Sequence, residues 1–430
     1  MPSWDPWYRA PDGWETTQPG AVLRIRQHAY NTTPFAVRNV ADTFQVLFRS
    51  TDSQKNATWG VTTVFIPIQP RCNITTTAST NSSSNNNTSS SGPSSSGSSN
   101  SGSSNCTQPI LSYQLPYDTS CLDASPSFGL QWGEPYGEIA VALSRGWWVS
   151  VPDYEGPLAS YGANIVGGYI TIDSVRAVLS IANASHYNLS LQNSPRVALW
   201  GYSNGASATE AAVELAAEYA PALQIAGAAI GGLSPNVAAA GPQLSQTQVA
   251  GLLVQGLIGV TSQYPEQRKY LVSRLNPSGP YNATEFFWAS YMSGWQSLLY
   301  FCYVDIFSYF IGGRADLEDQ RILDMFVREG TLGKFGLPRA RLFLYHAVGD
   351  DMTPIADTDA LVDQLCGRGA NILYHRNQWG GHNDELTNGR QRALDFLGDV
   401  LDGTDIMSAP ATGCQTVDLT IMQDPGKPIA

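Results

Sequence analysis

The chain has 430 residues, a 43% hydrophobic fraction and a formal net charge of −12. This length allows two or three domains, and the apolar content suffices for a large buried core. The excess of 36 acidic over 24 basic residues argues against a nucleic-acid partner, because phosphate repels such a surface, and no apolar run reaches the roughly 18 residues of a membrane span.

Two strands and a low-complexity run follow an extended N-terminal arm. The predicted leading strands are 41–49 and 59–67. Residues 81–105 contain only Ser, Asn, Thr, Gly and one Pro, so we expect the loop that includes them, 73–105, to be disordered and glycosylated. Cys72 and Cys106 flank this loop, where a disulfide between them would close its base.

Strands and helices then alternate, which is typical of parallel βαβ units. The predicted strands of this part are 109–115, 147–151, 197–200 and 225–230. The predicted helices are 138–145, 169–184 and 204–219. The pattern indicates a mostly parallel sheet with helices packed against it.

Residues 233–337 interrupt the alternation with a mostly helical and unusually apolar segment. The predicted elements after it are strand 341–346, helix 358–365, strand 371–375 and helix 384–401. The chain therefore reads as one α/β core in two parts, 1–232 and 338–430, with the helical segment 233–337 inserted between them.

The cysteines and the N-x-S/T sequons favour a secreted protein. An even set of cysteines without a C-x-x-C pair argues for disulfides and against zinc or dithiol redox chemistry. The six are Cys72, Cys106, Cys121, Cys302, Cys366 and Cys414. The candidate glycosylation sites outside the low-complexity loop are Asn31, Asn56, Asn183, Asn188 and Asn282. The first residues lack the basic and apolar regions of a signal peptide, so we expect the signal to have been removed from this sequence.

Residues 201–205 form a G-x-S-x-G pentapeptide between a predicted strand and an Ala-rich helix. This context is that of a nucleophile elbow, in which Gly201 and Gly205 permit a strained turn that lifts Ser203 out of the sheet. The N-terminus of the following helix favours negative charge developing beside the serine. We therefore predict that Ser203 is a catalytic nucleophile.

A serine nucleophile needs a base, and in this arrangement an acid and then a histidine follow the serine in the chain. His382 lies in a flexible loop after the last predicted strand, and it is our candidate base. His346 and His375 lie inside predicted strands, where a packed or edge histidine is expected.

Two adjacent aspartates compete for the role of the triad acid. Both follow the predicted strand 341–346, and the D-x-x-[VT]-P spacing up to Pro354 favours Asp350. Asp351 would then be a solvated neighbour or a turn acceptor. The acid would fix the tautomer of the histidine and stabilise its charged form.

An oxyanion hole requires two backbone N–H donors. One would come from Asn204, the residue after the serine, and the other from a loop after an earlier strand. Asp118 is the candidate in that loop, and spacing alone leaves an ordinary turn-forming aspartate equally open.

Several motifs together resemble those of the fungal secretory lipase family. They are ALWGYS at 198–203 with Gly205 and Ala206, DYEG at 153–156, EYAP at 218–221, His346-Ala347 leading to Asp350, Cys366 with GANI at 369–372, and His382. The resemblance implies an α/β-hydrolase fold, with a mostly parallel central sheet, helices on both faces and an inserted helical lid. It also implies hydrolysis or acyl transfer on carboxylic esters.

The same resemblance implies roles for single residues. It places Ser203, Asp350 and His382 in a catalytic triad and Asp118 in the oxyanion hole. It pairs Cys121 with Cys302 and Cys366 with Cys414, which leaves Cys72 for Cys106. The chain departs from the family in its Ser/Asn-rich insert and in Asn204, where the family often has glycine, so no chain-length preference is carried over.

The leading hypothesis is a secreted esterase or lipase that acts on an ester or lipid substrate, also at a lipid–water interface, as a monomer without cofactor or metal. A serine exopeptidase would use the same triad. A tailoring esterase or acyltransferase of a fungal metabolite would differ only in substrate. A non-catalytic binding protein would lack a triad member, and none is missing from the sequence.

Overall fold

The computed structural model describes residues 1–27, 39–71, 107–131, 137–182, 195–404, 406–407 and 412–422. The predicted disordered loop, the predicted pair Cys72–Cys106 and the sequons at Asn31, Asn183 and Asn188 lie outside these ranges. Asn56 and Asn282 lie inside them, at a turn before a strand and at the N-cap of a helix.

The described residues form one ten-stranded sheet with the strand order β1-β2-β3-β5-β4-β6-β7-β8-β9-β10. The strands are β1 (Val22–Gln27), β2 (Val40–Thr51), β3 (Ala57–Pro67), β4 (Pro109–Gln114), β5 (Trp148–Pro152), β6 (Arg196–Tyr202), β7 (Ile225–Gly231), β8 (Arg341–Ala347), β9 (Asn371–Asn377) and β10 (Cys414–Leu419). β1 to β3 pair antiparallel, as do β3 and β5. Every pairing from β5 to β10 is parallel, which confirms the mostly parallel sheet.

Twelve α-helices accompany the sheet in the part of the chain that the structure describes. They are α1 (Pro126–Gly129), α2 (Gly137–Ser144), α3 (Asn164–Ala182), α4 (Asn204–Tyr219), α5 (Val237–Ala240), α6 (Ala250–Thr261), α7 (Pro265–Arg274), α8 (Ala283–Phe287), α9 (Gly294–Tyr300), α10 (Gln320–Gly330), α11 (Ile355–Gly367) and α12 (His382–Asp402).

Helices cover both faces of the sheet because its central strands are apolar on both sides. β4 and β5 are buried along their whole length, as expected of strands in a parallel sheet. Side chains of α3, α4 and α11 form the core on one face, and those of α2 and α12 form it on the other. The predicted helices on both faces are confirmed.

The helices α5 to α10 all lie between β7 and β8, where the insertion was predicted. They enclose an apolar cluster of their own, which includes Phe286, Phe301 and Tyr309. The insertion therefore carries its own core in addition to its contacts with the sheet.

Two strands at the edges of the sheet were not predicted. β1 carries Arg24 and Arg26 and is half-buried, and β10 is mostly exposed, so neither has the apolar pattern of a buried strand. α3 begins at Asn164, five positions before the predicted start at Tyr169. Its length and its mean hydropathy of 1.4 would suit a membrane span, but 83% of that apolar stretch is buried inside the fold.

A disulfide joins Cys366, at the end of α11, to Cys414, at the start of β10. This pair is the one that the resemblance implied. The implied pair Cys121–Cys302 is wrong in this structure, where both cysteines are free. Their environments differ, because Cys121 is buried against the core and Cys302 is exposed after α9.

Candidate active site

Ser203 occupies a strained turn between β6 and α4. Its φ of 55° and ψ of −124° are strained for a residue that has a side chain. Such strain costs of order 1–3 kcal/mol, and strained residues cluster at functional sites. The turn places the serine at the N-terminus of α4, at the carboxyl edge of the sheet. This is the geometry predicted for a nucleophile elbow.

The glycines on either side of the turn have no room for a side chain. A Cβ added to Gly201 would lie 2.1 Å from the carbonyl oxygen of Gly205. A Cβ added to Gly205 would lie 2.0 Å from the carbonyl oxygen of Gln114 on β4. Close backbone contact therefore explains both glycines of the motif.

His382 lies between the predicted nucleophile and the predicted acid. It is the first residue of α12 and is 4% exposed. Its Nε2 lies 3.0 Å from Ser203 Oγ, and its Nδ1 lies 2.7 Å from Asp350 Oδ2. A carboxylate accepts the Nδ1 hydrogen, so Nε2 is left to accept the proton of the serine hydroxyl.

Asp350 follows β8, and its carboxylate is fully buried. Its Oδ1 accepts hydrogen bonds from the backbone N–H groups of Met352 and Thr353, at 3.0 and 2.7 Å. Burial by itself raises the pKa of Asp350, but the hydrogen bonds and charges of His346 and His382 outweigh it and hold the pKa well below its usual value. The carboxylate is therefore ionised at any working pH.

The neighbouring Asp351 is exposed. The hydrogen bond to His382 is made by Asp350 alone of the two aspartates. The spacing that favoured Asp350 thus agrees with the geometry.

The two candidates for the oxyanion hole follow neighbouring strands of the sheet: Asp118 comes after β4, and Asn204 begins α4 directly after β6. The Asn204 N–H is in the first turn of α4 and has no intrahelical partner. Asp118 has a φ of 46° and is half-buried, and its buried Oδ1 has no hydrogen-bond partner among the described residues. Burial raises the pKa of Asp118 to about 6, although the charge of His382 opposes the shift.

An apolar cavity opens at Ser203 and extends under the insertion. Its volume is about 1060 Å³, including the part that is open to solvent. The walls come mostly from α5, α6 and α10, with Leu253, Leu257 and Phe326 among the lining residues. The described residues contain no cluster of His, Cys, Asp and Glu that could hold a metal ion.

The sequence model of the family described as secretory lipase matches residues 130–409. The chain belongs to the secretory lipase family. The predicted resemblance is thereby confirmed, and so is membership of a family of carboxylic-ester hydrolases.

Relatives of this secretory lipase family member match almost the whole chain. It is 41% identical to trichothecene C-3 esterase of Fusarium sporotrichioides, over 97% of this chain and 88% of that protein. It is 33% identical to lipase A of Arthroderma benhamiae, over 98% of this chain and 84% of that protein. The structure of Candida antarctica lipase A in its closed state has a TM-score of 0.77 at 25% identity, with 97% of this chain and 90% of that chain covered. The predicted α/β-hydrolase fold is confirmed.

The prediction from sequence missed two groups of polar side chains in this secretory lipase site. Glu155 and Tyr154 accept hydrogen bonds from the Asn204 side chain, at 3.2 and 3.1 Å. In the sequence, their motif DYEG points only to the family resemblance. His346, which was assigned to packing, contacts Asp350 at 3.2 Å; its position on the strand that leads to the acid was the available signal.

Proposed function

We propose that this protein is a secreted carboxylic-ester hydrolase that acts through a triad of Ser203, His382 and Asp350. The observation that carries the proposal is the position of His382, whose two ring nitrogens lie 3.0 Å from Ser203 Oγ and 2.7 Å from Asp350 Oδ2. Membership of a family of secretory lipases supports both the reaction and the secretion.

The reaction has two halves that use the same groups. In acylation, Ser203 Oγ attacks the ester carbonyl carbon while His382 Nε2 takes its proton, and the N–H groups of Asn204 and Asp118 stabilise the oxyanion. The tetrahedral intermediate collapses when the alcohol leaves with the proton from His382. In deacylation, water attacks the acyl-enzyme by the same route and releases the carboxylic acid and free Ser203. An alcohol in place of water would give acyl transfer.

The cavity supports an apolar substrate. Its walls are lined mostly by apolar side chains of the insertion, and its few polar lining residues include Ser203, Asn204 and Thr353. Ligand sites of this kind obtain affinity from the apolar walls and orientation from a few polar groups. An ester with one extended apolar group therefore suits the site.

The surface of the insertion supports action at a lipid–water interface. Trp295 and Leu299 are 76% and 79% exposed and share one face of α9, because they are four positions apart. Tyr291 lies just before this helix and is 82% exposed. Large apolar side chains that remain in water mark a surface that meets lipid or a partner.

A second candidate function is hydrolysis of a trichothecene ester. The observation that favours it is the 41% identity to a trichothecene C-3 esterase over 97% of the chain, against 33% to a protein named as a lipase. The chemistry at Ser203 would be the same, and only the group in the cavity would differ.

A panel of nitrophenyl esters from acetate to palmitate tests the proposal, with an acetylated trichothecene as a further substrate and aminoacyl anilides as the peptidase control. The parent should hydrolyse the esters, and Ser203→Ala should lower kcat by about 10⁶-fold. Preference for the trichothecene ester would select the second candidate. Equal rates for both proteins on every ester, or turnover of anilides alone, would refute the proposal.

A further inference from the structure

His346 is a fully buried histidine near the end of β8, and it contacts the same carboxylate oxygen as His382. Its Nε2 lies 3.2 Å from Asp350 Oδ2 and 2.8 Å from the carbonyl oxygen of Thr353. Its Nδ1 lies 3.2 Å from Thr358 Oγ1 on α11. Each ring nitrogen therefore has a polar partner in the interior.

These partners determine where the ring carries hydrogen. The two closest neighbours of Nε2, a carboxylate and a carbonyl oxygen, only accept hydrogen bonds, so Nε2 must be a donor. At Nδ1, two arrangements are possible. Either the Thr358 hydroxyl donates to Nδ1, or Nδ1–H donates to that hydroxyl, which then donates to the carbonyl oxygen of Leu233 at 3.1 Å. In both arrangements an Nε2–H group lies within reach of both the Thr353 carbonyl oxygen and Asp350 Oδ2.

We propose that His346 is a positioning residue that fixes the Asp350 carboxylate for His382, an inference that rests on the proposed triad. The carboxylate then has nitrogen donors at both oxygens: the N–H groups of Met352 and Thr353 on Oδ1, and His382 Nδ1 on Oδ2. The His346 Nε2–H also contacts Oδ2, at 3.2 Å, and is shared with the carbonyl oxygen of Thr353 at 2.8 Å. Three hydrogen bonds and the shared His346 contact hold a buried carboxylate in one orientation, because any rotation would break several of these interactions inside the protein.

The shared oxygen also has an electrostatic consequence. His346 withdraws part of the negative charge of Oδ2, so its loss would make the carboxylate hold a protonated His382 more strongly. The titratable groups that face His346 are Asp350 and, from α12, His382 and Glu385. Loss of the Nε2–H donor should therefore move the acid limb of the kcat/KM profile to higher pH and lower kcat through misorientation of the triad.

A matched pair of substitutions separates the two ring nitrogens. The amide nitrogen of His346→Gln falls near the place of Nε2 and keeps a donor for Asp350. The amide of His346→Asn falls near the place of Nδ1, so it keeps a partner for Thr358 and loses the donor. Both variants replace the ring by a neutral amide in the same buried site.

The measurements are kcat, KM and the pH profile on one nitrophenyl ester, with Ser203→Ala beside them. We expect His346→Asn to lose about 10- to 100-fold in kcat, with little change in KM, and to shift the acid limb upward by roughly one pH unit. His346→Gln should retain most of kcat, and the acid limb of its pH profile should stay at the pH of the parent. If both variants had the same kcat and the pH profile of the parent, His346 would contribute only packing and the inference would be wrong.

Nitrogen-15 NMR of histidine-labelled parent protein gives a test that does not require a folded Asn variant. The chain has five histidines, and the His346 signals are those lost in His346→Gln. A protonated Nε2 at this residue is expected, and a hydrogen-free Nε2 would overturn the inference. Activity retained in Ser203→Ala would instead refute the proposed function, whatever His346 does.

Discussion

The candidate catalytic side chains at the carboxyl edge of the sheet are buried, whereas large apolar side chains on the helical insertion are exposed. At the sheet edge, His382 is 4% exposed and the Asp350 carboxylate is fully buried, and both have several hydrogen bonds. In the insertion, Trp295, Leu299 and Tyr291 are 76%, 79% and 82% exposed. Burial therefore constrains the proposed triad tightly, whereas packing does not constrain the three exposed side chains of the insertion.

The comparison predicts that the smallest changes at the sheet edge have the largest effects. Asp350→Asn keeps the shape of the side chain but removes the charge that sets the His382 tautomer, so kcat should fall by about 10⁴-fold. Asp351→Asn is the matched control, since Asp351 is exposed, and it should stay within about twofold of the parent because surface changes rarely alter a buried site. Steady-state kinetics on nitrophenyl butyrate compares the two. Similar losses in both would mean that the two aspartates share the role of acid.

The turn that carries Ser203 should tolerate no added methyl group. Gly205→Ala would place a Cβ 2.0 Å from the carbonyl oxygen of Gln114, so the free energy of unfolding should fall by about 3 kcal/mol or more. Gly367→Ala is the control, because nothing lies within 4 Å of its added Cβ at the end of α11, and it should change stability by no more than about 1 kcal/mol. Chemical unfolding measures both. If Gly205→Ala left the free energy of unfolding unchanged, β4 and α4 would have to be able to move apart.

The difference between buried and exposed elements also explains which parts of the fold and of the site could be predicted from the sequence. Ser203, Asp350 and His382 follow buried strands whose apolar runs are visible in the sequence, so the elements and their ends could be predicted. β10 carries polar residues on an exposed edge, and no pattern distinguished it from a loop. His346 lies within β8, and its contact with Asp350 depends on how the following turn folds back, which no local pattern encodes.

The junction between sheet and insertion contains a buried pair of glutamates. Glu210 and Glu214 lie one turn apart on α4, and Glu214 accepts hydrogen bonds from the N–H groups of Gly333 and Phe335 at the end of the insertion. Burial raises the pKa of Glu214 to about 7. Burial and the charge of Glu214 raise the pKa of Glu210.

This pair should make the protein more stable in acid than at neutral pH. A raised carboxyl pKa means that the folded state binds more protons than the unfolded state. The free energy of unfolding is therefore highest below pH 4.5, the ordinary pKa of the carboxyl in the unfolded chain, and it falls as pH rises to about 7. Glu210→Gln keeps the shape without the charge, so at pH 7 to 8 it should be more stable than the parent, with little difference at pH 4.

Urea unfolding at several pH values measures this difference. Glu218→Gln is the control on the same helix, because Glu218 is exposed, and its stability should follow that of the parent within about 0.5 kcal/mol at each pH. Parallel pH curves for Glu210→Gln and the parent would show that the pair does not titrate on unfolding, and that the junction is held by its hydrogen bonds alone.

The exposed face of α9 should affect only the approach of the substrate. Trp295→Ser combined with Leu299→Ser removes two side chains that water already surrounds, so the free energy of unfolding should change by no more than about 0.5 kcal/mol. The rate of hydrolysis of a dissolved acetate ester should stay within about twofold of the parent. At an emulsion, each side chain would contribute roughly 1.5–3 kcal/mol on entering lipid, so hydrolysis of an emulsified palmitate ester should fall by about tenfold or more. Ile68→Ser, at a residue 62% exposed beyond the end of β3, should change neither rate. An equal loss on dissolved and emulsified ester would show that α9 shapes the cavity itself, because a surface that only meets lipid has no effect on a substrate that reaches Ser203 through water.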